Sequence, residues 1–322
     1  MRGTQQCPDA TVRGKTMTDQ HLYDDFEDSE KTCSRSAEHY VSDSGKTAGS
    51  SAGPRAGKKI VVIMGSPRKG NTSRACEEFQ KHFQEICPAE FEYVWLKDAS
   101  IKPCTGCFVC FPHGEDKCPN RDDDIRFIEQ KMLDADGVVF ASPVYSWNVT
   151  GQMKTFIDRL SYTGHRPRFF NKKAFFLVTT GIMGADDVLK YLKTTAWAWG
   201  FECAGTAGLI TPNGIVPRDR AEKNTRLLRK GAESFSAGLH RTTPLRPGIM
   251  DVIHFYGMRG NFSQTETLSP ADYWYWKRQG WLSPEAKWFL NVPLNPLYQA
   301  LGRIVEIYAE HAFRRYTGQG VL

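Results

Sequence analysis

Apolar positions along the chain fall into two alternating periods. Lys58-Lys59 precede Ile60-Val61-Val62-Ile63-Met64, an unbroken apolar run. Such a run suits a strand buried on both faces of a parallel sheet. Ala75, Phe79, Phe83 and Ile86 then recur at helical spacing, which predicts a helix with one buried face. The alternation continues. Strands are expected over residues 91–96, 137–141 (GVVFA), 173–179 (KAFFLVT) and 201–209. Helices are expected over 122–133, 150–160, 186–199 and 218–240, with Asp122, Asp123 and Asp124 at the positive N-terminal end of the first of these. Strands alternating with helices imply βαβ units and a parallel sheet covered on both faces.

The flanks read differently. Residues 1–57 are rich in Ser, Thr, Gly, Asp and Glu without apolar period, and residues 42–57 have a linker composition. A disordered tail is expected there. The acidic stretch around Asp24, Asp25, Glu27 and Asp28 disfavours a transit peptide. Beyond about Pro244 aromatics crowd together, from His254, Phe255 and Tyr256 to Trp288 and Phe289, and a helix over 297–313 is expected to follow. Core packing or a subunit interface explains those aromatics more simply than a substrate pocket. The expected division is a tail (1–57), an α/β domain (58–243) and a mostly helical extension (244–322) packed on that domain or at a subunit interface.

Composition narrows the functional classes. Hydrophobic residues make up 40% of the 322, too many for a wholly disordered chain. No run approaches the roughly 20 apolar residues of a spanning helix. No apolar stretch follows Met1-Arg2, so no membrane span or secretory signal is expected and a cytoplasmic location is. The net charge of +6 is too small and scattered to argue for nucleic acid. The first 57 residues carry 7 basic against 9 acidic groups, leaving 35 against 27 on the remainder, a surface suited to anionic ligands.

Three segments carry candidate chemistry. Gly65 to Ser73 (GSPRKGNTS) follows the first strand and opens a helix, the arrangement in which unpaired N–H groups and the helix dipole receive a phosphate. Ser66, Asn71, Thr72 and Ser73 add donors and Arg68 a charge. Asn71 stands where a triphosphate loop requires Lys, and no G-x-G-x-x-G is present at this turn. A single phosphate such as that of FMN remains, with an ordinary capped turn as the alternative. The loop Ser142 to Asn148 follows the GVVFA strand at the same sheet edge. There Pro143, Val144, Tyr145, Ser146, Trp147 and Asn148 offer flat faces and hydrogen bonds to an isoalloxazine ring. Thr179, Thr180 and Gly181, after the next strand, form a third candidate loop.

Four of nine cysteines, Cys104, Cys107, Cys110 and Cys118, are spaced C-x2-C-x2-C-x7-C. Zinc modules usually pair two knuckles across a longer gap. Consecutive x2 steps with Pro119 after the last cysteine resemble iron–sulfur ligation. Structural zinc, or free thiols without metal, stay open as alternatives. Cys7, Cys33, Cys76, Cys87 and Cys203 are isolated and carry no expected role, and His113 reads as a surface residue.

Together the segments Gly65 to Ser73, Cys104-Thr105-Gly106-Cys107, Asp122-Asp123-Asp124 and Ala141 to Tyr145 resemble the NADPH-dependent FMN reductase family of flavodoxin-like proteins. The cysteine spacing resembles its iron–sulfur flavoproteins. The resemblance covers roughly residues 58–240. It implies a flavodoxin-like, doubly wound, five-stranded parallel sheet and FMN held by the first two loops. It implies electrons from NAD(P)H or a ferredoxin, and a homodimer or homotetramer. Carried over by position, Ser66, Arg68, Asn71, Thr72 and Ser73 match the phosphate loop and Pro143 to Asn148 the ring loop. Cys104, Cys107, Cys110 and Cys118 match ligands of a [4Fe–4S] cluster. The expected activity is NAD(P)H oxidation through FMN to a quinone, flavin or small molecule. A ferredoxin-fed electron carrier and a flavin-dependent dehydrogenase of a biosynthetic intermediate are the competing readings. Hydride transfer to FMN needs no acid or base, so no catalytic side chain is assigned.

Overall fold

A computed structural model of the chain describes residues 57–212 and 216–317. The tail expected over residues 1–57 lies outside them except for Gly57. Five strands form one parallel sheet: β1 (Lys58–Met64), β2 (Ala89–Trp95), β3 (Gly137–Pro143), β4 (Lys173–Thr180) and β5 (Glu202–Ile210). Their order is β2-β1-β3-β4-β5, the flavodoxin-like doubly wound order, and every neighbouring pair is parallel. The order reverses between β1 and β3, so the loops after these two strands flank the crevice where such sheets bind ligands.

Period-2 alternation along each strand builds two cores. Val61, Ile63, Val138, Phe140 and Phe176 face one layer of helices: α3 (Ile125–Asp134), α4 (Gly151–Arg159) and α5 (Ala185–Ala198). Ile60, Val62, Val139, Phe175 and Leu177 face the other: α1 (Asn71–Gln84) and α6 (Arg218–His240). Phe79 of α1 stacks on Phe175 with ring centroids 4.3 Å apart, and Phe235 of α6 packs beside both. The one-turn helix α2 (Cys110–His113) lies within the cysteine segment.

The helix expected over 122–133 begins three residues later, at Ile125. Asp122, Asp123 and Asp124 precede it because their carboxylates are engaged elsewhere. Asp124 accepts the Ser100 N–H at 2.7 Å and Asp123 accepts that of Lys102 at 2.9 Å. Asp123 also pairs with the buried Arg159. The acidic triplet thereby ties down the start of the cysteine segment.

The C-terminal region is helical: α7 (Ile249–Phe262), α8 (Pro270–Arg278) and α9 (Pro296–Tyr316). Val252, Phe255, Tyr256, Phe262, Trp276 and Trp281 make a third buried cluster. Helix α9 lies against α7 so closely that a Cβ at Gly302 would fall 2.5 Å from the Tyr256 ring. Arg259 and Glu306, both largely buried, pair across these two helices at 2.6 Å. Among the described residues, no helix is long and apolar enough to cross a membrane.

Candidate functional site

The phosphate-loop candidates stand at the carboxyl end of β1. Helix α1 starts after Gly70, and no side chain caps its first amides. The nearby hydroxyls are committed within the loop. Ser66 Oγ donates to the Arg68 carbonyl at 2.8 Å and Ser73 Oγ to that of Gly70 at 3.0 Å. Ser66, Thr72 and Ser73 are buried, and Arg68 is exposed beside them. Uncapped backbone donors next to an exposed guanidinium are the donor set a single phosphate requires.

The ring-loop candidates form a tight two-residue turn. Tyr145 N–H donates to the Asn148 carbonyl at 2.8 Å and Asn148 N–H to that of Tyr145 at 3.0 Å. Between them Ser146 and Trp147 have φ of +46° and +66°. Two consecutive left-handed non-glycine residues cost about 1–3 kcal/mol each, and such strain concentrates at ligand sites. The turn leaves Tyr145 45% and Trp147 63% exposed, unusual for rings of that size at a sheet edge. Trp147 borders the loop after β4. A Cβ at Gly184 (φ +88°) would lie 3.3 Å from the indole and from Val144, so the close approach there requires glycine.

Hydrogen bonds stitch the edge together. Thr72 and Thr179 share a hydroxyl bond of 2.7 Å, joining α1 to β4. Val144 N–H donates to the Thr179 carbonyl at 2.8 Å. Thr150 Oγ1 and Gln152 Nε2 both donate to the Gly65 carbonyl, at 2.7 and 2.8 Å. Asn71 Nδ2 reaches the Thr211 carbonyl at 3.0 Å, and Thr211 N–H reaches that of Thr180 at 2.7 Å. Thr180 Oγ1 donates to the Met183 carbonyl, while Gly181 faces open space. All three candidate loops thus meet at one edge. Thr150, Gln152 and Thr211 were not singled out from sequence, whereas Thr179 belongs to the third candidate loop. The bonds of the first three close across distant parts of the chain, and no local spacing marks them.

Cys104, Cys107, Cys110 and Cys118 line one cavity, with Arg126, Arg159 and Tyr162 in its wall. Left-handed backbone at Gly106 and Phe108 turns the chain between the first three. Cys104 and Cys107 are exposed, and Cys110 and Cys118 are half-buried. Among the described residues no three His, Cys, Asp or Glu side chains close around a single metal ion. Four thiols facing a shared cavity are a donor set that fits a soft, multi-iron group. Burial pushes the Cys110 thiol up to about 11, against the opposing pull of Arg166.

Charges hold this segment from behind. Arg166, itself buried, donates to the Cys110 carbonyl at 2.9 Å and to Glu115 at 2.8 Å, and pairs with the buried Asp272 of α8. Asp272 also accepts from Ser269 Oγ at 2.8 Å and lies 2.9 Å from His165 Nδ1. The Phe111 carbonyl lies 2.9 Å from the same Ser269 Oγ, as a second acceptor for its single proton. Burial alone would raise the Glu115 carboxyl, but Arg168 and Arg166 hold it down at about 2. Helix α4 links the two halves of the site, since the ring loop leads into its first turn while Asp158 and Arg159 at its end line the cysteine cavity.

The sequence profile of the NADPH-dependent FMN reductase family matches residues 58–213. An iron–sulfur flavoprotein of Archaeoglobus fulgidus is 35% identical over 233 residues, 70% of this chain and 100% of that protein. An iron–sulfur flavoprotein of Clostridioides difficile is 38% identical over 178 residues, 55% of this chain and 77% of that protein.

Proposed function

The chain belongs to the NADPH-dependent FMN reductase family, in its iron–sulfur flavoprotein-like subgroup, and is an FMN-dependent oxidoreductase; from that premise we propose that it draws electrons from NAD(P)H and passes them to a quinone, flavin or small-molecule acceptor, with a [4Fe–4S] cluster on its four clustered cysteines. The observation that carries this reading is the meeting of three strand-end loops around an uncapped helix N-terminus. In this reading the first amides of α1 and the Arg68 guanidinium hold the FMN phosphate, with Ser66, Asn71, Thr72 and Ser73 shaping the loop. Pro143 to Asn148 hold the ring, with Tyr145 and Trp147 excluding water from its flank. Thr180 and Gly181 leave room at its edge. Bound FMN supplies the hydride and single-electron chemistry that no side chain provides. Cys104, Cys107, Cys110 and Cys118 hold the cluster. Ligation would require thiolates, and burial works against the thiolate of Cys110.

The test is the absorption spectrum of anaerobically purified protein, with iron and sulfide analysis and steady-state oxidation of NADH and NADPH. Bands near about 370 and 450 nm report bound flavin, and a broad shoulder near about 400 nm with stoichiometric iron and sulfide reports the cluster. Zinc in place of iron overturns the cluster. No turnover with either nicotinamide, in protein that retains flavin, overturns the donor.

A further inference from the structure

Among the described residues, helix α9 buries one face and leaves the other exposed. Gly302 and Glu306 press on α7, whereas Leu297, Ile304, Ile307 and Tyr308 are each 63–76% exposed. With Ala300 and Leu301 they recur at spacings of three and four, the seam of a two-helix coiled coil. Single exposed apolar side chains are ordinary, but a continuous stripe along a 21-residue helix is not. The helix lies outside residues 58–213, the segment that the family profile matches.

We propose that this stripe pairs with the same stripe of a second copy of the chain, as an antiparallel helix pair with its two-fold axis at Ile304. Three features favour a second copy. The stripe is self-complementary about Ile304: an antiparallel partner brings Leu301 opposite Ile307, Ala300 opposite Tyr308, and Leu297 opposite His311. The small Ala300 thereby receives the large Tyr308, as an isologous contact requires. The charges also select direction. Arg314 and Arg315 cluster at the C-terminal end. Parallel pairing would set four guanidiniums together, and antiparallel pairing sends them to opposite ends. The area suffices as well, because the exposed apolar side chains offer roughly 600 Å² per copy and pairing removes about 1,200 Å² in total, the lower bound of a specific interface.

The measurement is the mass of the full chain by light scattering or sedimentation, for the natural protein and for Ile304→Glu. Two carboxylates facing each other at the axis should halve the assembly's mass and weaken its self-association at least about 100-fold. Because Ile304 is exposed and lies on a helix that contributes no residue to the strand-end loops, the circular dichroism spectrum and bound flavin should not change. As an independent readout, Ile304→Cys treated with a short bismaleimide should give a dimer whose linked peptide joins residue 304 to residue 304. Unchanged mass in Ile304→Glu, or a cross-link that fails to join the two 304 positions, overturns the proposal. So does a monomeric natural chain that floats with anionic phospholipid vesicles, which would assign the stripe to a lipid surface.

Discussion

At the scale of single residues, the sheet edge contains groups whose roles separate cleanly. Arg68 is exposed, so Arg68→Ala should leave the unfolding midpoint unchanged and weaken FMN binding about 10-fold or more by titration, the worth of one charge-assisted hydrogen bond. Thr72 behaves oppositely. Its hydroxyl is paired with that of Thr179 in a buried site, and Thr72→Val strands the partner, at a cost of about 1–3 kcal/mol in urea unfolding. Ser146 sits at φ +46°. Ser146→Gly should relieve that strain and stabilise the chain by about 1 kcal/mol in the same assay, even as it loosens the loop that carries Trp147.

At the scale of elements, helix α8 is fastened to the cysteine segment by polar groups. Asp272→Ala removes a carboxylate that meets Arg166, Ser269 and His165. It should cost about 3 kcal/mol by denaturant unfolding, because it leaves a buried guanidinium short of its partner. Sequence patterning reached some elements and not others for physical reasons. The limits of α6 at Arg218 and His240 were readable because the amphipathic period begins after Pro217 and stops at an uncharged Thr-Thr-Pro run. The central strands β1, β3 and β4 were readable because both their faces are buried, so apolar runs mark them. The position of the three loops follows from the strands they end. Asp122 to Asp124 misled because acidic residues before an apolar period suit a helix start and a side-chain tether equally well. The bonds from Gln152 to Gly65 and from Arg166 to Asp272 span 87 and 106 residues. No local spacing encodes contacts of that range.

At the scale of the whole molecule, Glu115 joins the cysteine segment to Arg166 and Arg168 ahead of β4. Its carboxyl lies near 2 when folded and near about 4.3 when unfolded. The unfolded chain therefore binds the proton more readily, and stability rises with pH across that interval. The contribution is fully present above about pH 4.5 and is lost as pH falls towards 2, on the order of 3 kcal/mol. Glu115→Gln should flatten the pH dependence of the unfolding free energy between those limits, as measured by urea titration at successive pH values. A slope unchanged by the substitution would show that other carboxylates govern the acid transition.

The tether between Arg166 and Asp272 also has a consequence in time. The thiols end at Cys118, but the carboxylate that secures the backbone around them from behind lies 154 positions further along the chain. Translation at about 5–20 residues per second adds that stretch in roughly 8–30 s. Throughout that interval four closely spaced thiols are outside the ribosome without their final support, and thiols in that condition are the ones most open to oxidation. The order of synthesis therefore makes the cysteine segment the last part of the α/β half to gain its support, and in a chain truncated before α8 Cys110 and Cys118, half-buried in the complete chain, should react faster with a thiol reagent.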